Sequence, residues 1–313
     1  MLLWILTNSE TMDSHGDRDR SSERVGMVLV VVSAVGFGTL AVLGELAFAA
    51  GLNVPSVLAL RFALATLLVW AVLVARRRRA GASERLRLRG RLLFVAVALG
   101  LVGYTGQSAL FFWGLEYLTA GVTTLVLYTY PAFVLVLSAL FLGEPLTQRR
   151  LVALPLVLGG VALVAGVDPV GVSSVGIAIV LGSAVVYSGY IVVSRVALAD
   201  TDGLVLAGHV LPAAAVSFFA YGTTTGSLAL PATPSGWFTV VGIAVLATVV
   251  PVVTFFGGIR RIGASRAGLV STVEPIVAVV LGVLLLDEPL PPTTFVGGAL
   301  VLVGVWLIHV ESR

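Results

Sequence analysis

Five ionisable side chains stand inside long apolar runs of this 313-residue chain: Glu45, Arg61, Arg195, His209 and Glu274. A charge at the centre of a bilayer costs at least ~2.5–3.5 kcal/mol, so each is a candidate for solute binding, proton transfer or gating. Glu274 directly precedes Pro275. A proline inside a helix frees the carbonyl four residues earlier and kinks the helix. The pair makes a polar notch suited to a substrate amine or a proton; the competing reading is a protonated glutamic acid bonded to the freed carbonyl. The first half offers Tyr130 before Pro131, with Tyr128 nearby. These tyrosines line the same cavity or simply pack. Glu45 lies about eight residues before a short loop and Arg61 about seven after it. At 1.5 Å per residue both are roughly 10–12 Å deep, within reach of an ion pair that gates or binds. Arg195 and His209 hold similar depths from the opposite end and would gate there. The alternative for these four is neutralisation for packing, or arginine snorkelling to headgroups. Gln107, with Tyr104 and Ser108, shares a helix face with Gly100 and Gly103. It bonds a solute or a neighbouring helix.

Elements that hold such groups must cross a membrane. Hydrophobic residues make up 58% of the chain and charged ones 11%, against roughly 45–50% and about a quarter in soluble domains. That excludes a soluble enzyme, a disordered chain and a nucleic-acid binder. The absence of cysteine excludes disulfides and thiolate metal sites. Apolar runs fall at roughly 25–48, 54–75, 92–115, 119–142, 150–167, 174–197, 204–225, 236–258, 264–286 and 293–310. Each suits a helix crossing about 30 Å of hydrocarbon, and the runs are too continuous for barrel strands. The expected fold is all-α and polytopic, with ten transmembrane helices. Residues 1–24 are expected to be a disordered cytoplasmic tail, with Met12 or Met27 as alternative starts.

All 19 basic residues are arginine, and 18 of them fall on one side of this topology, including Arg76–Arg79, Arg149, Arg150, Arg260 and Arg261. The opposite loops carry only Glu116, Asp168, Asp287 and Glu288. The positive-inside rule makes the arginine side the cytoplasm, with both termini there. Trp113, Tyr117 and Trp237 fall at outer ends, as an interfacial belt requires.

The halves resemble each other. Pro131 is followed after 14 residues by Pro145 in Gly143-Glu144-Pro145-Leu146; Pro275 is followed after 14 by Pro289 in Asp287-Glu288-Pro289-Leu290. Gly159-Gly160 with Gly166 matches Gly297-Gly298 with Gly304. Phe37-Gly38 matches Tyr187-Ser188, and Glu45 and Arg195 each stand eight residues after the aromatic. Packing explains each glycine pair alone but not the shared order. Five spans per repeat is odd, so the halves, 25–167 and 168–313, would enter the membrane in opposite senses. Inverted repeats mark secondary transporters with a midplane site.

These residues resemble the EamA-type family of the drug/metabolite transporter superfamily. The two proline-bounded endings carry most of the likeness, together with Arg61-Phe62. The resemblance implies ten helices, a central cavity and movement of small metabolites, often export of amino acids. One position departs: the family often has a basic residue where Glu45 stands.

The expected function is secondary active transport by alternating access, the helices kinked at Pro131 and Pro275 rocking around Glu274, Tyr130, Tyr128 and Gln107. The rivals are a drug or lipid translocator of the same fold, or a membrane-assembly subunit. Without lysine there is no phosphate-binding loop of the ATPase type, so a primary pump is excluded for this chain alone. No metal motif is present. The expected partners are a small-molecule solute and the lipid bilayer, with proton coupling and a homodimer left open; no cofactor and no nucleic acid are implied.

Overall fold

The computed structural model describes residues 22–80, 86–143, 147–166 and 173–310. Among the described residues the chain is helical and has no strand. The helices are α1 (Ser22–Ala49), α2 (Val54–Arg79), α3 (Gly90–Leu115), α4 (Ala120–Phe141), α5 (Gln148–Gly166), α6 (Ser174–Leu198), α7 (Gly203–Thr224), α8 (Pro234–Ile262), α9 (Arg266–Leu286) and α10 (Pro292–Val310). Among the described residues, eight are long and apolar enough to cross a membrane; within α5 and α10 the described apolar stretches are Leu151–Val164 and Pro292–Ile308. Of the expected tail 1–24, residues 1–21 lie outside the described residues, and Ser22–Arg24 are already helical.

Partner choice follows the apolar and glycine faces. α5 packs on α10, α2 on α7, α3 on α6, and α4 on α9. α1 lies on α8, where Ser33 Oγ donates to the Pro251 carbonyl at 2.9 Å. The α5–α10 contact is backbone-close: a Cβ at Gly160 would sit 2.6 Å from the Gly297 carbonyl, and one at Gly304 would sit 3.0 Å from the Ala153 carbonyl. As α10 rises from 297 to 304, α5 descends, so the two run antiparallel.

Contacts between connections sort them into two ends. At one, Asn53 Nδ2 donates to the Ser227 carbonyl (2.7 Å), and Glu288 accepts from the Ala120 and Gly121 amides. At the other, Asp202 pairs with Arg76 and Arg260 at 3.5 and 3.3 Å, and Arg266 pairs with Glu23. Every one of these contacts joins loops that arginine counting places on the same side.

Four irregularities interrupt the long helices. Leu99–Tyr104 in α3 and Val245–Val249 in α8 are π-helical. In each, a threonine hydroxyl takes the carbonyl five residues back, Thr105 to Gly100 at 2.8 Å and Thr248 to Ile243 at 2.9 Å. Such bulges are frequent at functional sites. α4 breaks at Tyr128–Thr129, just ahead of Pro131, and α9 breaks at Thr272, ahead of Pro275. Both then end in a left-handed residue, Gly143 (φ 68°) and Asp287 (φ 54°).

Candidate functional site

Pro275 has no N–H, so the Ser271 carbonyl has no helical donor. Tyr128 fills that role: its hydroxyl lies 2.6 Å from the Ser271 carbonyl and 3.0 Å from Glu274 Oε2. The hydroxyl has one proton to donate and two acceptors competing for it. Glu274 is thus held at the α9 break by a residue from the α4 break. Tyr128 is buried, whereas Glu274 and Tyr130 keep part of their surface accessible.

From this pair a continuous line of rings crosses the bundle. Tyr128 meets Tyr130 edge-on at 5.6 Å between centroids, and Tyr130 meets Tyr187 of α6 at 4.9 Å. Tyr187 stacks on Tyr190 at 6.0 Å, Tyr190 meets Tyr104 of α3 at 5.5 Å, and Tyr104 meets Phe62 of α2 at 5.3 Å. These separations are those of favourable aromatic pairs. Among the described residues the hydroxyls of Tyr104, Tyr130, Tyr187 and Tyr190 have no hydrogen-bond partner. All four residues are partly accessible. A row of unpartnered phenols on an accessible aromatic wall offers both hydrogen bonds and π faces to a solute. Tyr187 and Tyr190 were not singled out as site residues from sequence; their spacing of three on one helix was the available signal.

At the far end of the line sits Arg61, only 2% exposed. Its Nε donates to Thr248 Oγ1 at 2.9 Å, within the π segment of α8. Its guanidinium carbon lies 4.8 Å from the Phe62 ring centre and 5.9 Å from that of Phe112. The expected ion pair with Glu45 is not formed: no carboxylate pairs with Arg61 among the described residues, and Glu45 lies instead within electrostatic range of Glu288. Equal depth fixes height along a helix but not the face from which a side chain leaves.

The other predicted residues have local tasks. The Gln107 side-chain carbonyl accepts from Ser108 Oγ at 3.1 Å, and its backbone carbonyl accepts from Ser183 Oγ of α6 at 2.8 Å. His209 Nε2 accepts from the Leu88 amide at 3.4 Å, Nδ1 lies 2.9 Å from the Val205 carbonyl, and the ring meets Trp70 at 5.4 Å. Arg195 is exposed and donates to Ser138 Oγ of α4 at 3.4 Å. A groove of about 570 Å³ lies elsewhere, along α2 between Leu67 and Arg79, and does not touch Glu274.

One residue was missed as a site candidate. Glu288 places its carboxylate on the first turn of α4, 2.5 Å from the Ala120 amide and 3.1 Å from the Gly121 amide. A carboxylate satisfies orphan amides there and matches the helix dipole. Gly282 makes room for it, since any Cβ there would meet Glu288 Oε2. The matching Glu144 lies outside the described residues.

Two stretches, residues 24–166 and 174–310, each match the profile of the EamA-like transporter family. The chain belongs to that family. It is a multi-pass membrane protein and a transporter, not an enzyme. It is 29% identical over 275 residues to the uncharacterized transporter YcbK of Bacillus subtilis, covering 85% of this chain and 86% of that one. It is 27% identical over 229 residues to a "Probable terminal-alkyne amino-acid exporter" of Streptantibioticus cattleyicolor, covering 71% and 75%. A crystal structure sharing 21% identity aligns with a TM-score of 0.65 over 90% of this chain and 95% of its own, a likeness of fold.

Proposed function

We propose that this EamA-family chain is a secondary transporter that exports an amino-acid-like solute across the cytoplasmic membrane. Ten spans form two inverted five-helix repeats, with both termini in the cytoplasm. Support comes from the double family match, the paired breaks in α4 and α9, the paired π segments in α3 and α8, and the arginine asymmetry. The solute class draws on the exporter relative. Alternating access would come from rocking at the two breaks before Pro131 and Pro275, with Arg195 and His209 bracing the cytoplasmic end and Glu45 near the outer end.

The observation that carries the reading is the partly accessible Glu274 carboxylate, held by Tyr128 at the head of the tyrosine line. That carboxylate would take a solute ammonium or a coupling proton. The test is purified protein in proteoliposomes, first screened by thermal shift against a panel of amino acids, then assayed with the stabilising one. Glu274→Gln should lower counterflow at least ~100-fold, the scale of about 2.7 kcal/mol of lost interaction, while leaving the melting temperature within a few degrees. Unchanged counterflow removes Glu274 from the mechanism. Drug or lipid translocation through the same fold would instead leave transport of an apolar cation or lipid insensitive to Glu274→Gln.

A further inference from the structure

Arg61 is a buried cation with no anionic partner among the described residues. Only its Nε is engaged, by the neutral hydroxyl of Thr248. Among the described residues neither terminal nitrogen has an acceptor and no carboxylate pairs with the group. An arginine 2% exposed at bilayer depth is costly unless something neutralises it. Its orientation is fixed from three sides, by the Thr248 contact and by the Phe62 and Phe112 rings. Tyr104, whose hydroxyl has no hydrogen-bond partner among the described residues, packs on the same Phe62 ring at 5.3 Å between centroids, within electrostatic range of the guanidinium. A planar fork held this way presents parallel N–H donors, the geometry that takes a carboxylate bidentately.

We infer that Arg61 and Tyr104 form an anion subsite that binds the carboxylate of the transported solute, separate from the Glu274 carboxylate. The inference rests on the chain being a solute carrier but not on the role of Glu274. The tyrosine line joins the two subsites, so a solute reaching Arg61 from Glu274 would pass along the phenol hydroxyls. Entry of the carboxylate would neutralise the buried charge and so couple occupancy to the α2–α8 contact at Thr248.

Purified protein in nanodiscs tests this by thermal shift with sodium acetate, acetamide and sodium chloride at matched ionic strength, since a ligand bound only by the folded state raises Tm by mass action. Acetate should raise the Tm of the wild-type protein saturably by several degrees, acetamide should not, and chloride should do so at least tenfold less effectively. Arg61→Met should abolish the acetate response; Arg61→Lys, which keeps charge but not the fork, should weaken it about tenfold. Glu274→Gln should keep the full acetate response even as it loses transport, which separates failure of this subsite from failure of the reading above. Equal shifts with acetamide or chloride, or a full response in Arg61→Met, overturn the assignment. Should Arg61→Met not fold, Tyr104→Phe decides: an undiminished acetate response in that variant overturns it as well.

Discussion

The junction of α4 with α6 and the junction of α9 with α1 are built on the same backbone plan and carry different chemistry. Both α4 and α9 break just ahead of a proline, and in both a neighbouring helix leans on the residue before that proline. At the first junction Ser188 Oγ of α6 donates to the Tyr130 carbonyl at 2.9 Å, and the Tyr130 ring packs on Tyr187. At the second the equivalent neighbour is Gly38 of α1, and a Cβ there would lie 2.8 Å from the Glu274 carbonyl and 2.7 Å from Val277 Cβ. One junction is filled by rings and closed by a hydroxyl; the other is kept bare and carries the acid. The bare one lets a charged side chain occupy a break that the first half fills with aromatic bulk. Asymmetry of this kind lets two matching breaks hold one carboxylate rather than two.

Inserting the first junction's residue into the second is the harshest way to break that difference. Gly38→Ser puts a Cβ against backbone and a β-branched side chain that cannot rotate away. Overpacking of this kind costs typically 1–3 kcal/mol. Purified Gly38→Ser should melt several degrees lower than wild type, and its transport should fall even where Glu274 is intact. A Tm equal to wild type would show that α1 and α9 are looser than this contact implies.

The acid at the end of α9 comes next. Gly282→Ala forces Glu288 off the α4 amides, because its Cβ takes the carboxylate's place. Loss of a cap costs roughly 0.5–2 kcal/mol. The counterpart of Gly282 in α4, seven residues after its proline, is Ser138, whose hydroxyl accepts from Arg195. Ser138→Ala should therefore cost less than Gly282→Ala in the same thermal unfolding series. The reverse order would show that Glu288 is not the contact that Gly282 protects.

How much of this was readable beforehand divides by range. The apolar runs located the helices to within a few residues, and proline at 131 and 275 marked the breaks, because both signals are local. Glu274 was legible for the same reason: a carboxylate beside a proline in an apolar run is a two-residue pattern. The partner of its freed carbonyl was not, since Tyr128 reaches Ser271 across 143 positions. From sequence Glu288 reads only as a loop charge, because nothing near it names the amides of Ala120 and Gly121 as its partners. Depth alone offers Glu45 as one partner for Arg61; the π segment that presents Thr248 is a change of helical register, invisible to an apolar pattern. α5 and α10 lie where the runs at 150–167 and 293–310 place them.

On the hydroxyl side the comparison is sharpened by Ser188→Ala. The Oγ of Ser188 also lies 2.6 Å from the Ala184 carbonyl, so its proton is shared between an intrahelical acceptor and Tyr130. Net hydrogen-bond contributions cluster near 1 ± 0.5 kcal/mol, and a shared proton belongs in the lower part of that range. Ser188→Ala should lower Tm by less than Gly38→Ser does, while the ring contact between Tyr130 and Tyr187 keeps the junction closed.

The smallest effect belongs to the two left-handed helix ends. Gly143 adopts φ 68° without a Cβ to clash, whereas Asp287 adopts φ 54° with one. A left-handed conformation costs an L-residue roughly 1–2 kcal/mol, less for Asp, whose short side chain bonds locally. Asp287→Gly relieves that strain but adds freedom to the unfolded chain, and the two terms differ by only a few tenths of a kcal/mol. The Glu288 amide donates to the Gly282 carbonyl at 3.1 Å immediately after this turn, so the turn itself should persist. Asp287→Gly is expected to move Tm by less than about two degrees and to leave transport intact. A large loss of transport with Tm unchanged would assign the Asp287 carboxylate a task beside Glu288 and Glu45 at that end, and would make the second half's ending, like its break, the functional one of the pair.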